Sequence, residues 1–292
     1  MSEALNETKF LMKKYKIKAN KSLGQNFLID DTALEDIVNG AEINENDLVI
    51  EIGPGLGSLT KILLKKARKV ICIELDKKMT KILKDRFIAY NNLELINEDV
   101  LRIDLKELID EEKQKDLELQ NVKVVANLPY YITTPIIMKL VENDLGIESI
   151  TVMIQKEVAE RLIAKPGKKE TGAITYTIYY YCEGTKIREV ENTCFIPEPE
   201  VTSEVINLKI RKQPAVQVQD KRILFNIIKS AFMQRRKTLL NSLSSVGVFQ
   251  NKEKGVEILK KIGLREDVRP ENISIEDFAK LTEIFIDSIR QK

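Results

Sequence analysis

Between residues 47 and 155 the chain alternates short apolar runs with longer stretches whose apolar positions recur every three to four residues. The runs at 48–52, 70–75, 93–97, 122–126 and 150–154 predict β-strands. The stretches at 57–66, 76–90 and 133–143 predict the helices between them. Alternating strand and helix argues for an α/β fold with a parallel, doubly wound sheet, in which ligands bind beyond the carboxyl ends of the strands. A further helix is expected at 156–164, stopped by Pro166-Gly167, and late strands at 185–190 and 205–210. A proline-rich corner, Phe195-Ile196-Pro197-Glu198-Pro199, lies between those strands. After Pro214 the alternation stops and 223–231, 238–243, 256–262 and 275–289 predict helices only. The expected organisation is an N-terminal segment over 1–30, an α/β domain over 31–210 and a smaller all-α domain over 211–292, with no internal repeat or low-complexity tract.

Composition narrows the class. A chain of 292 residues, 43% hydrophobic and 32% charged, suits a soluble globular protein of one large and one smaller domain. No run approaches the roughly 18 apolar residues of a membrane span. The N-terminus carries six lysines before Phe27 but no signal-type apolar core, so a cytoplasmic protein is expected. There is no histidine, and the three cysteines, Cys72, Cys182 and Cys194, lie far apart. A metal site therefore has almost no ligands to draw on, and Ser–His and Cys–His nucleophilic pairs are excluded. Residues 209–292 hold 18 Lys+Arg against 10 Asp+Glu, while 1–208 hold 29 against 35. Such segregation points to a polyanionic partner for the basic end, where Lys221, Arg222, Lys229, Arg235, Arg236 and Lys237 occur without an intervening acid.

Four constellations carry candidate chemistry. Val49-Ile50-Glu51-Ile52-Gly53-Pro54-Gly55-Leu56-Gly57-Ser58 reads as a strand, a glycine turn and a helix start. Serine at 58 breaks the G-x-G-x-x-G dinucleotide fingerprint, and no Gly-Lys-Ser/Thr follows to make a P-loop. Glu74 ends the next strand, 21 residues after Gly53, where a carboxylate can accept both hydrogens of a ribose diol. Asn97-Glu98-Asp99-Val100 follows the third strand, and Asp99 could accept from the amino group of an adenine. Taken singly, these read as a strand-to-helix turn, a helix cap and an ordinary turn. Together they suit an adenosine without pyrophosphate, such as S-adenosylmethionine.

The fourth constellation is Val124-Val125-Ala126-Asn127-Leu128-Pro129-Tyr130-Tyr131, a strand ending in a polar corner on the same rim. Methyl transfer to a nucleobase amine does not require prior proton removal. It requires acceptors for the two N–H bonds, which the Asn127 side-chain oxygen and Leu128 carbonyl can supply, while Pro129 stiffens the turn. Tyr130 offers a ring on which an extruded base can stack, and Tyr131 is expected to be packing.

These motifs resemble the ribosomal RNA adenine dimethylase family in its small-subunit, KsgA-type branch. The resemblance spans nearly the whole chain. It runs through Lys21–Leu28, Glu51–Gly57 with Glu74 and Asp99, Asn127-Leu128-Pro129-Tyr130, Gln155–Arg161, Phe195–Ser203 and Ala231–Leu239. It implies a Rossmann-like class I methyltransferase sheet with a helical RNA-binding domain, and an N-terminal segment covering the cofactor. It implies S-adenosylmethionine as cofactor and two adjacent adenosines in the 3′-terminal hairpin loop of 16S rRNA, within the small ribosomal subunit, as substrate. The product would be dimethyladenosine, made by a monomeric enzyme of subunit biogenesis. Carried over, Asn26, Leu28, Gly53, Glu74, Asp99 and Asn127, with their neighbours Gln25, Gly55, Leu75 and Val100, should contact the cofactor. Phe195 would form a second aromatic wall for the flipped base, and Lys221, Arg222, Arg235, Arg236 and Lys237 would bind RNA. The chain departs from the pattern at Thr171, where an aromatic is expected, and at Thr202 and Glu204, where an acid and a small residue are expected. Alternatives are the large-subunit dimethylase of macrolide resistance, an assembly factor acting mainly by binding, and a DNA amino-methyltransferase. The form of the Asn corner and the Arg235–Leu239 segment favour the small-subunit enzyme, and no DNA target-recognition domain is visible.

Overall fold

The computed structural model describes residues 2–20, 23–168, 170–234 and 236–290. The chain forms two compact units, Met1–Ala159 with Thr185–Ile210, and Glu160–Gly184 with Arg211–Lys292.

The first unit opens with helix α1 (Glu3–Lys14), the short strand β1 (Phe27–Leu28) and helix α2 (Asp31–Gly40). Strands and helices then alternate: β2 (Asp47–Ile52), α3 (Ser58–Lys66), β3 (Lys69–Ile73), α4 (Lys77–Arg86), β4 (Leu93–Ile96), α5 (Leu105–Lys115), β5 (Asn121–Asn127), α6 (Thr133–Glu142) and β6 (Ser149–Gln155). Helix α7 (Lys156–Ile163) and strand β7 (Cys182–Val190) cross the unit boundary, and β8 (Phe195–Ile196) and β9 (Ser203–Ile210) complete the strands. The large sheet has the order β4-β3-β2-β5-β6-β9-β7. Strands β4, β3, β2, β5 and β6 pair in parallel, and β9 joins β6 antiparallel with Gln155 opposite Ser203. β1 and β8 form a separate antiparallel pair, Leu28 opposite Phe195.

The central strands are buried on both faces, which is why they read as continuous Val/Ile/Leu runs rather than alternating ones. Chain order reverses at β2: β3 and β4 lie on one side and β5 on the other, so the crevice between β2 and β5 at the carboxyl edge is the topological switch point. Helices enter from this sheet with acidic caps, Asp76 accepting from Lys78 N at 2.8 Å and Asp104 from Lys106 N and Glu107 N at 3.0 Å. At the opposite edge Lys123 Nζ lies 2.9 Å from Asp47 Oδ2, with both side chains sealed from solvent. Asn121 Nδ2 and Asn44 N donate to the same carboxylate at 3.1 and 2.8 Å, and Lys123 Nζ also donates to Glu42 O at 2.6 Å.

In the second unit, α8 (Ala173–Tyr181) packs with α9 (Lys221–Phe232), α10 (Leu239–Ser245), α11 (Lys252–Lys261) and α12 (Ile275–Arg290) around one apolar cluster. Tyr176 is its centre. It is fully buried, meets Phe278 edge to face at 5.1 Å, and donates its hydroxyl to Ile273 O at 2.6 Å. Burial pushes that hydroxyl up to about 12. Residues 160–184 therefore belong with the C-terminal helices, whereas a boundary at 211 assigns them to the α/β domain. Their sequence, Ala-Ile-Thr-Tyr-Thr-Ile-Tyr-Tyr-Tyr in α8, is β-branched and aromatic, and its helical state is set by burial on several sides rather than by propensity. Helices α1, α2 and α5 also lie outside the predicted elements; α5 is mostly charged, with Leu105, Ile109 and Glu112 its buried positions.

Lys123→Met strands the buried Asp47 carboxylate without its counter-charge. It is expected to cost about 3–5 kcal/mol in urea denaturation, and adding Asp47→Asn should recover part of that loss.

Candidate active site

A cavity opens at the switch point, walled by the ends of β2, β3 and β5, the turn after β4, and the chain from Leu23 to Leu28. Its first wall is the glycine turn. Gly53 holds φ 69° at the end of β2, and a Cβ there would project into open space, with nothing nearer than Asn127 O at 3.9 Å. That vacant volume against bare backbone is what a closely approaching ligand occupies. Gly57 holds φ 83°, and a Cβ would fall 2.6 Å from the Phe87 ring, so glycine is what lets α3 start against α4.

The ladder continues past the strand ends, with Gly53 N donating to Ile73 O and Glu74 N to Ile96 O. This places Glu74 beside the glycine turn. Its two carboxylate oxygens accept from Gly55 N at 3.1 Å and Asp76 N at 2.8 Å. Burial raises its pKa, and those two backbone donors oppose the rise. Asn97 Nδ2 donates to the carbonyls of Glu74 and Leu75 at 2.7 and 3.2 Å, tying the third rim turn to the second. Asp99 accepts from Leu101 N at 2.9 Å. Beneath the glycine turn Glu51 is almost wholly buried, accepting from Thr60 Oγ1 at 2.6 Å and from Cys72 Sγ at 3.3 Å. Burial pushes Glu51 up to about 7.

The Asn corner forms the facing wall. Asn127 ends β5, and its Nδ2 donates to Asn26 O at 3.1 Å. The amide nitrogen is thereby held by backbone from a segment 101 residues earlier, and among the described residues Oδ1 accepts no hydrogen bond. Leu128 N donates to Met153 O at 3.1 Å, and the Pro129 carbonyl accepts from Thr133 Oγ1 at 3.0 Å, fixing the turn at both ends. The Tyr130 hydroxyl shares a 2.7 Å hydrogen bond with Ser203, which holds the ring in place at the start of β9.

The cavity wall collects Gln25, Asn26, Leu28, Gly53, Gly55, Glu74, Leu75, Asp99, Val100, Asn127, Leu128, Pro129 and Tyr130. Phe195 is not among its lining residues. β8 pairs with β1, and the Phe195 side chain is 2% exposed in the core with Met153 and Val205. Tyr131 does line the cavity and is 59% exposed, a rim position rather than packing. Leu34 and Ile37 of α2 form an apolar part of the wall that sequence reasoning passed over. Their helical spacing after the Asp30 cap was the available signal. Of the departures, Thr171 donates to Lys168 O at 2.6 Å, and buried Glu204 meets Lys186 Nζ at 2.9 Å; neither lines the cavity.

The electrostatics of the cavity are one-sided. Glu51, Glu74, Glu98 and Asp99 line it, and among the described residues no lysine or arginine does. Such a wall repels phosphate and favours a cation. The set of acceptors, the Gly53 vacancy and this charge fit S-adenosylmethionine, which is positively charged at sulfur and carries a ribose diol and an adenine amine but no phosphate.

In the second unit Lys221 and Arg222 begin α9, exposed, with Lys221 Nζ 5.5 Å from the centre of the Tyr181 ring. Arg236 and Lys237 are exposed in the turn before α10, and Arg235 lies outside the described residues.

Residues 16–287 match the family described as ribosomal RNA adenine dimethylase. Proteins named ribosomal RNA small subunit methyltransferase A are similar over nearly full length. The one from Clostridium botulinum is 48% identical over 280 residues, covering 96% of this chain and 98% of its own. That from Clostridioides difficile is 45% identical over 287 residues, covering 98% of each. Among solved structures, a dimethyladenosine transferase from Plasmodium falciparum superposes with TM-score 0.75 at 27% identity, covering 89% of this chain and 97% of its own. The 23S rRNA methyltransferase ErmE shares the fold, with TM-score 0.68 at 23% identity over 89% of this chain and all of its own. A match over most of the chain, with such relatives, means that the chain belongs to the ribosomal RNA adenine dimethylase family of methyltransferases.

Proposed function

We propose that this protein transfers methyl groups from S-adenosylmethionine to the N6 atoms of two adjacent adenosines in the 3′-terminal hairpin loop of 16S rRNA. On this reading it acts as a cytoplasmic monomer on the assembling small subunit. The observation that carries it is the orientation of Asn127, whose nitrogen is bound to Asn26 O so that its oxygen is the end offered to a substrate amine. The similarity to proteins named as small-subunit methyltransferases supports the choice of subunit.

The residues divide the work. Glu74 accepts from the ribose diol through the lone pairs its backbone donors leave free, and Asp99 accepts from the cofactor's adenine amine. When bound, S-adenosylmethionine supplies the electrophilic methyl group at its sulfonium. Asn127 Oδ1 and the Leu128 carbonyl accept from the two hydrogens of the target amine. They turn its lone pair out of the ring plane and toward the methyl. Tyr130, steadied by Ser203, supports the extruded base by stacking. The methylated nitrogen then loses a proton to water, so the absence of histidine costs the reaction nothing. Lys221, Arg222, Arg235, Arg236 and Lys237 bind RNA backbone from the helical unit.

The direct test supplies labelled S-adenosylmethionine with unmethylated small subunits, large subunits or naked RNA, and maps the modified nucleotides. Label in adjacent small-subunit adenosines is expected; label confined to large subunits would overturn the reading. Asn127→Ala is expected to lower methyl transfer by roughly 10²–10³-fold. Its titration with S-adenosylmethionine should stay within about tenfold of the parent. Arg236→Ala with Lys237→Ala should weaken RNA binding and make the plot of log K against log salt shallower by about 1 to 2. Glu51 gives a pH signature. Its pKa lies near 7 when folded against 4.5 ordinarily, so between these values the folded state holds the extra proton. Stability should fall as pH rises through that window, by about 3 kcal/mol in all, and Glu51→Gln should remove this dependence in urea titrations from pH 5 to 8.

A further inference from the structure

The N-terminal helix does more than lead into the cavity. Its acids and its lysines are segregated. Glu3 pairs with Lys61 Nζ at 2.7 Å, and Glu7 lies 3.4 Å from Lys61 and 2.7 Å from Arg86 Nη2. The other nitrogen of Arg86, Nη1, donates to the Leu56 carbonyl in the glycine turn. The start of α1 is also clipped to α2, with Glu3 N and Ala4 N donating to Asp31 at 2.7 and 2.8 Å. Both acids of α1 are thus engaged by neighbouring helices, and the helix is fixed in place by them.

What remains on its outer side is basic. Lys9, Lys13 and Lys14 on α1, and Lys16 and Lys18 just after it, are exposed and make no salt bridge among the described residues. Helix α4 presents a second set, Lys77, Lys78, Lys81 and Lys84, which are also exposed and make no salt bridge among the described residues. The two helices share one apolar cluster, Leu11 and Ile17 meeting Met79 and Ile82. The two lysine sets therefore lie on segments that pack against one another. The cluster also contains Phe27 and Leu56, both in the cavity wall, and α4 begins directly after the rim residues Glu74 and Leu75. Within the lysines one large apolar ring is left out: Phe10 is 62% exposed, with Lys14 Nζ 6.0 Å from its centre.

We propose that the α1–α4 face is a second RNA-binding surface, on the α/β unit itself, which holds the phosphate backbone of the strand leading to the target base. Phe10 is a stacking platform for an unpaired base of that strand. Unpaired lysines around one exposed aromatic suit single-stranded nucleic acid, in which phosphates and open base faces alternate. The cavity repels phosphate, so a strand delivering one base to it must place its neighbouring phosphates on cations outside, and this face supplies them beside the rim. The proposal rests on the rRNA-methylating reading of the site.

The test compares matched double variants of the full chain: Lys13→Gln/Lys14→Gln on α1, Lys77→Gln/Lys81→Gln on α4, and Lys106→Gln/Lys115→Gln on α5 as a control of equal charge. Binding to the 3′-terminal small-subunit hairpin is titrated over a salt series, with S-adenosylmethionine titration reporting an intact fold. The α1 and α4 pairs are each expected to make log K against log salt shallower by about 1 to 2, with cofactor affinity unchanged and the α5 pair like the parent. Phe10→Ala, which leaves every lysine in place, should weaken binding with the salt slope unchanged. Parent-like affinity and slope in both the α1 and α4 pairs would overturn the proposal, as would an equal loss in the α5 pair. Loss of binding to phosphatidylglycerol vesicles with RNA binding retained would also overturn it, assigning the face to a lipid surface. If the parent methylates no ribosomal RNA, the functional reading fails instead, and the two failures are read separately.

Discussion

Parallel pairing of β2 with β3 on one side and β5 on the other is the constraint on which the site depends. A parallel ladder brings every carboxyl end to one edge, and the reversal of chain order at β2 opens a crevice there that no crossover helix fills. The glycine turn, Glu74, the turn at Asp99 and the Asn corner come from four strands spread over some eighty residues. They face one cavity because their strands end together. The sealed Asp47–Lys123 pair lies at the other edge of β2 and β5, where it fixes their relative register without touching the chemistry.

The same rim gathers negative charge, and the structure bears the cost of it. Glu51 is pushed up to about 7 by burial, with Thr60 and Cys72 opposing that rise as hydrogen-bond donors. Glu74 is held by two backbone N–H groups. A cationic ligand relieves this arrangement and a phosphate aggravates it. Among the described residues no lysine or arginine lines the wall, and this disfavours a phosphate as much as any one acceptor favours a cationic ligand. With methyl transfer the reaction class, a wall of acceptors and no histidine is a coherent set rather than a deficient one.

The N-terminal segment ties the two halves of the site together. Its Asn26 carbonyl sets the orientation of Asn127, and Phe27 and Leu28 complete the wall. Upstream, α1 reaches the glycine turn through Glu7 and Arg86, so the glycine turn and the Asn corner are both braced by one stretch of chain.

Much of this was legible beforehand. The strands at 48–52, 122–126 and 150–154 and the rim residues Gly53, Glu74, Asp99 and Asn127 follow from local pattern, because a buried parallel strand must be apolar and must end where the polar chemistry begins. Other features have no local signature. Phe195 reads as a wall for the base, yet β8 pairs with β1 and its ring lies in the core, a placement set by a partner strand 167 residues away. Residues 160–184 read as part of the α/β domain, yet Tyr176 and Tyr180 bury against the C-terminal helices, and burial overrides the strand preference of their sequence. The orientation of the Asn127 amide and the pKa of Glu51 likewise needed the tertiary structure, since one depends on a carbonyl 101 residues distant and the other on how completely water is excluded. Sequence by itself determined which residues end the strands and which end of the sheet they occupy, because period and spacing are local properties of the chain. Only the tertiary structure decided which way each group points and what charge it bears, because direction and solvation arise from neighbours far off in sequence.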